Sequence, residues 1–298
     1  MTCVRVIIAG SSGLIGSSLV SELRGAGHEV LRLVRRSPAA ADERQWNPPA
    51  GTIADDALTG VDAVVNLCGV GVADRRWTEA RKQVLRDSRS VPTDVLATAV
   101  AEHRIPTLLN ASAVGYYGDG GETVLTESSP NGAGFLGMLC REWEAATEPA
   151  AEAGARVVRL RTGIVLSQGG GLLGPLRPLF ALLLGGRIGA GTQYWPWISM
   201  ADEVAAIRFC LEHDSVAGPV NLTGPIPATN AEFTKEFADS LGRPAPWVIP
   251  GFALSLVFGT ELAKEAMLAG QRALPRVLEG AGFTFRHGTL RAALAAIR

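Results

Sequence analysis

Nothing constrains this chain more than Gly10-x-x-Gly13-x-x-Gly16, set directly behind the run Val4-Arg5-Val6-Ile7-Ile8-Ala9. The β-branched run predicts a buried strand, and the segment Ser17 to Arg24 follows with the apolar spacing of a helix. A first glycine turns the chain without a Cβ clash, a second lets the backbone approach a pyrophosphate, and a third lets the helix close on the strand. The helix start then presents unpaired N–H groups and a partial positive charge to phosphates. Gly10, Ser11, Ser12, Gly13, Leu14, Ile15 and Gly16 therefore read as a dinucleotide cradle.

The next strand, Val30–Val34, ends in Arg35-Arg36-Ser37-Pro38. A βαβ site selects its ribose here: a carboxylate suits a 2′-hydroxyl, whereas arginine suits a 2′-phosphate by charge and by its planar fork. Arg35 and Arg36 thus point to NADP(H) rather than NAD. Val61–Leu67 is a third buried strand running into Cys68-Gly69, and strand C-termini are where open α/β sheets hold ligands. Leu67, Cys68 and Gly69 should lie along the cofactor. A long helix is expected from about residue 78 to 103; its Arg81, Lys82 and Arg86 suit a solvated face, and Arg89 is set apart as a cofactor contact. The strand Thr107–Ala111 then delivers Ser112, Tyr116 and Tyr117, two of the chain's three tyrosines, where a hydroxyl can exchange a proton beside a nicotinamide.

Strands alternating with helices predict an α/β fold: a Rossmann-like doubly wound parallel sheet with a small, mostly helical C-terminal subdomain on the substrate side. The cofactor domain is expected at 1–165 plus about 200–223, and the substrate subdomain at 166–199 and 224–298. With 298 residues, 47% of them apolar, the chain can bury a large core. A net charge of −1 gives no field for nucleic acid or a membrane. Its apolar stretches fall short of the ~20 residues that span a bilayer. Four scattered cysteines and four histidines without ligand spacing predict reduced thiols and no metal, and the early strand leaves no room for an export signal. A cytoplasmic protein with a small-molecule substrate is expected; its oligomeric state is not legible. Gly169-Gly170-Gly171 reads as a link between elements. Phe180, Trp195, Trp197, Trp247 and Phe252 are available for an apolar pocket wall.

The glycine turn, Asn66-Leu67-Cys68-Gly69 and Ser112…Tyr116-Tyr117-Gly118 resemble the extended or atypical short-chain dehydrogenase/reductases, the NAD(P)-dependent epimerase/dehydratase group. Arg75-Arg76-Trp77-Thr78, Ser88-Arg89, Trp143-Glu144, Arg161–Leu166, Trp197-Ile198-Ser199 and Gly270–Pro275 narrow the likeness to its "epimerase family protein" branch, which carries a short C-terminal domain of unassigned role. The resemblance spans essentially the whole chain. It implies a Rossmann fold and an NADP(H) site touched by Arg35, Arg36, Leu67, Cys68 and Arg89.

The chain departs from that group where the chemistry should be. The superfamily's Tyr-x-x-x-Lys pair is absent: the three lysines are Lys82, Lys235 and Lys264, and Phe135 and Leu139 stand in the pair's places. The usual catalytic serine or threonine position is Ala113, one residue beyond Ser112, and Ser199 replaces a histidine common in this branch. Losing a general acid/base costs ~10²–10⁴-fold in rate. Three readings stay open: an NADP(H)-dependent oxidoreductase or epimerase-like enzyme using another proton donor, a non-catalytic NADP(H)-binding or sensing protein, and a nucleotide-sugar epimerase.

Overall fold

A computed structural model describes residues 3–297. The strands β1 (Arg5–Ala9), β2 (Glu29–Val34), β3 (Glu43–Asn47), β4 (Thr52–Ile53), β5 (Ala63–Asn66) and β6 (Thr107–Ala113) build most of one eight-stranded sheet. Two further strands, Arg156–Thr162 and Gly218–Leu222, complete it beyond β6. From β1 the sheet runs outward through β2, β3 and β4 on one side, and through β5, β6 and the two later strands on the other. All pairings are parallel except β3 with β4. The order reverses between β1 and β5, where Ala9 sits opposite Asn66. A crevice opens beyond the carboxyl ends of strands at such a reversal.

Parallel strands joined by helices are covered on both faces, which is why Val6–Ala9 and Val64–Val65 are fully buried. On one face, helix α1 (Leu14–Gly25) and the helix Met200–Glu212 pack Leu19, Leu23, Ile207 and Leu211 against the sheet. On the other, helix α2 (Glu79–His103) brings Leu96, Ala97 and Val100 onto Ile7, Val64 and Leu108. Helix α3 (Phe135–Ala145) follows the β6 end on that side. Thr78 caps α2, accepting from the Arg81 N–H at 3.1 Å.

A second core, around Trp197, Phe233, Phe237 and Phe180, lies in the C-terminal part. There Ile164–Ser167 pairs with Trp197–Ser199 and turns back through Gly170–Gly171. The glycine triplet is thus part of a hairpin and not a plain link: a Cβ on Gly170 would lie 3.1 Å from the Leu14 side chain of the cradle. The C-terminal segment is tied to the sheet domain by Arg272–Ala273, which pairs in parallel with Val124–Leu125. Among the described residues no helix is long and apolar enough to cross a membrane.

Candidate functional site

The glycine turn has the geometry that its spacing demands. Gly10 has φ +80°, and a Cβ there would lie 2.8 Å from the Leu67 carbonyl group. A Cβ on Gly16 would lie 2.2 Å from the Gly10 oxygen, so the first turn of α1 closes on the strand end only without a side chain. The Gly13 N–H donates to the Gly10 carbonyl at 3.0 Å, which holds the loop shut. Gly13 itself caps α1 with no side-chain acceptor, and the first turn carries no acid. The leading N–H groups of α1 are therefore left for an anion. Ser12 and Leu14 flank this opening on the exposed side, with Ser11 buried and Ile15 half-buried.

The two arginines behind β2 differ in what holds them. Arg36 is clamped by Glu43, Nη1 at 2.8 Å and Nη2 at 2.6 Å, and the hydrogen bonds from Arg36 and from the Ala39 N–H hold that carboxyl well below its ordinary range. Arg35 is exposed and has no ion pair among the described residues. Its charge reaches Cys68 across the glycine turn, opposing the burial that pushes the thiol up to about 12.

The turn after β5 is set by a buried polar network. Asn66, at 0% exposure, accepts from the Cys68 N–H at 3.1 Å and donates to Asn110 at 2.7 Å and Thr93 at 2.9 Å. Trp143 Nε1 donates to the same threonine hydroxyl at 3.0 Å. Arg89 lies under this turn and donates to the carbonyls of Val70 at 2.9 Å and Leu85 at 3.1 Å, with its guanidinium 5.0 Å from the Trp143 ring. Burial lowers its pKa below the ordinary arginine value. A Cβ on Gly69 would come within 3.3 Å of it. Arg89 thus supports Leu67, Cys68 and Gly69 from below.

At the end of β6 the hydroxyls are already engaged. Ser112 donates to Glu144 at 2.7 Å, and Glu144 forms a two-pronged pair with Arg161 at 2.8 and 2.9 Å. Tyr117 donates to Asn221 at 2.6 Å and accepts from Arg161 at 3.0 Å. Ser112, Tyr117, Glu144 and Arg161 are all 5% exposed or less. Burial raises the Tyr117 pKa, with Arg161 pulling the other way. Burial also works against the Arg161 charge, but Glu144 outweighs it and keeps the pKa above the ordinary value. Tyr116 is the exception: its ring lies 3.5 Å beneath the Arg161 guanidinium, it is half-buried, and its hydroxyl has no hydrogen bond among the described residues.

Phe135 and Leu139 are buried, and the Phe135 ring meets Trp77 edge-on at 4.9 Å. Above them the start of α3 is capped from the C-terminal segment. Glu265 accepts from the N–H groups of Phe135 at 3.0 Å and Leu136 at 2.8 Å. It belongs to a stretch of π-helix, Ala263–Leu268, a feature frequent at functional sites. A cavity of about 280 Å³ lies here, lined by Gly115, Gly118, Leu136, Lys264, Glu265 and Gln271. Lys264 has no ion-pair partner among the described residues. Spacing could not reveal it, because it is far from α3 in sequence; its only early signal was its rarity among the charged residues.

Two other early readings resolve differently. Ser199, where related chains often have histidine, caps the helix Met200–Glu212 by accepting from the Asp202 N–H at 3.1 Å. An imidazole nevertheless reaches the position, with His287 Nδ1 2.9 Å from the Ser199 hydroxyl. Of the five aromatics available for a pocket wall, Phe180, Trp195 and Trp197 are core, whereas Trp247 and Phe252 face solvent. The four cysteines are unpaired.

Comparison with known proteins agrees with this geometry. Residues 6–137 match the NAD dependent epimerase/dehydratase family, and residues 249–297 match a domain of unknown function, DUF1731. The epimerase family protein Mb2239 of Mycobacterium bovis is 56% identical over 289 residues, 97% of this chain and 96% of that one. Among solved structures, human epimerase family protein SDR39U1 (isoform 2) with NADPH superposes with a TM-score of 0.89 at 33% identity, covering 98% of both chains. A nucleoside-diphosphate sugar epimerase from Corynebacterium glutamicum gives 0.82 at 38%, covering 99% of this chain and 58% of that one. A Rossmann sheet, an open glycine turn and full-length relatives converge: this chain belongs to the NAD-dependent epimerase/dehydratase family of the short-chain dehydrogenase/reductases, in the branch that ends in a DUF1731 domain.

Proposed function

We propose that the protein is an NADP(H)-dependent oxidoreductase or epimerase-like enzyme acting on a small carbonyl or alcohol compound, with a non-standard proton donor. The observation that carries this reading is Arg35: an exposed guanidinium with no ion-pair partner among the described residues, beside a helix start free of acids. A 2′-phosphate supplies the missing charge, and a pyrophosphate supplies acceptors for the N–H groups of α1. The structure determined with NADPH for the human relative supports the same choice. When bound, the nicotinamide supplies the hydride chemistry. The residues of this chain do the rest: Gly10–Gly16 hold the pyrophosphate, Leu67–Gly69 flank the ring system, and Arg89 with Asn66 keeps that turn in place. Ser112 and Tyr117 have hydroxyls committed inside the protein, so proton exchange falls to groups with free ends, Tyr116 and Lys264. Lys264 lines the cavity at α3, which is where a small substrate has room.

The same commitment of Ser112 and Tyr117 favours a second reading, a protein that binds NADP(H) without turning substrate over. Titration of the full chain with NADPH and NADH, read by energy transfer from tryptophan to the dihydronicotinamide, tests the shared half. NADPH binding that Arg35→Ala weakens is expected; absence of binding to either nucleotide defeats both readings. A carbonyl and alcohol screen with Lys264→Ala and Tyr116→Phe then separates them: cofactor-dependent turnover lost in either variant identifies the enzyme, and no turnover by the parent identifies the binder.

A further inference from the structure

The helix Gly251–Phe258 reads GFALSLVF and buries none of its residues. A helix that is apolar and still exposed lacks its partner. It is one part of a larger patch: Leu182, Leu184, Trp247, Phe252, Leu256 and Val257 are each 57–71% exposed. Trp247 Nε1 donates to the Leu183 carbonyl at 2.7 Å, which joins the 182–184 turn to the strand that leads into the helix. Phe252 and Leu256, four residues apart, share one face. With aromatic side chains worth about 150–250 Å² each, these six residues expose on the order of 700 Å². The largest apolar patch on a typical monomer is about 300–600 Å², and one partner of a stable interface contributes about 800 Å².

The charges around the patch do not suit a lipid surface. Arg76 is spent on the helix end, where it donates to the carbonyls of Leu256 and Val257. Lys82 is paired with Glu261 at 2.6 Å, and the chain as a whole carries −1. An edge of backbone is available as well. Trp247–Ile249 pairs in parallel with Gly186–Ile188 in a two-stranded sheet, and its other edge meets no strand among the described residues. An unpaired, apolar strand edge is a template for another chain.

We propose that this face, centred on Trp247, Phe252 and Leu256, binds a second copy of the chain about a two-fold axis. A self-complementary apolar patch of near-interface size is what a closed dimer requires. The DUF1731 region then both caps α3 through Glu265 and carries the interface, so that association is built on the segment that bounds the α3 cavity.

The test is sedimentation equilibrium of the full chain from 1 to 100 μM, with Phe252→Glu and Leu256→Glu measured alongside. Circular dichroism and thermal unfolding verify that both variants fold, and these exposed positions place no demand on the core. A dimer of the 31.2 kDa chain that dissociates at least tenfold more readily in both variants supports the proposal. A parent that stays at chain mass to 100 μM overturns it, as does a dimer unaffected by both substitutions. Flotation with vesicles of anionic phospholipid is the remaining arm: a chain-mass protein that floats, and ceases to float in Leu256→Glu, also overturns it in favour of a membrane surface.

Discussion

At the glycine turn the donors face outward: the first N–H groups of α1 have no side-chain acceptor, and Arg35 has no ion pair among the described residues. At the end of β6 the arrangement is the reverse, with Ser112, Glu144, Arg161, Tyr117 and Asn221 joined in a buried network. Unsatisfied donors at a surface cost little, because water serves them until a ligand arrives. Buried polar groups must be paired within the protein. The first region is therefore organised for a ligand and the second for the fold, although both lie at carboxyl ends of the same sheet. Where related enzymes place proton chemistry, this chain has an internal ion pair and a phenylalanine.

Breaking the buried pair is the most direct attack on that contrast. Arg161→Ala leaves Glu144 charged without its cation and removes a donor from Tyr117; a loss of about 3–5 kcal/mol is expected in urea unfolding. A variant as stable as the parent would mean that the network is not structural.

Glu203 sharpens the contrast from the edge of the second region. It is fully buried, accepts from Thr162 at 2.9 Å, and leaves its other oxygen unpartnered. Burial pushes its pKa up to about 8, whereas an unfolded glutamate titrates near ~4.3. The native state thus holds a proton that the unfolded chain has lost, so this group's contribution to stability falls as pH rises from ~4.3 to about 8. Glu203→Gln should remove that fall and gain on the order of 1–3 kcal/mol at pH 8, with no gain near pH 4. Unfolding at pH 5, 6.5 and 8 checks it; an equal effect at all three contradicts the assignment.

The tyrosines should separate next. Tyr117→Phe strands Asn221 in the interior and should cost about 1–2 kcal/mol, whereas Tyr116→Phe should change stability by less than ~0.5 kcal/mol. Equal losses in thermal unfolding would show that Tyr116 is held as firmly as its neighbour.

The smallest effect concerns the arginines. Arg35→Ala should weaken NADPH about tenfold in the fluorescence titration and leave NADH nearly unchanged. Arg36→Ala should do less, because Glu43 already neutralises that guanidinium. The opposite ranking would reassign the 2′-phosphate contact.

These differences mark what was legible in the residues. The cradle could be read at once because its requirements are local: glycine at Gly10 and Gly16 answers a backbone conformation and a Cβ clash within one turn of chain. The strand ends at Leu67 and Ser112 were legible for the same reason, since a buried run that stops declares its own boundary. The hydroxyl of Ser112 was not. Its acceptor, Glu144, and that acceptor's cation, Arg161, come from α3 and from the strand beyond β6. Trp143-Glu144 and Arg161 stood out as motifs before the structure joined them, but no spacing could pair them.

The sequence by itself determined the sheet, the glycine turn and the loss of the Tyr-x-x-x-Lys pair, because strand period, turn conformation and helical spacing are short-range constraints. Only the tertiary structure decided which polar groups are free. It turned Ser112 and Tyr117 inward, tied Arg36 to Glu43 while leaving Arg35 open, and brought Lys264 and Glu265 to the start of α3. Whether a hydroxyl or a charge is available depends on which partner reaches it first, and those partners are brought together by packing across the chain.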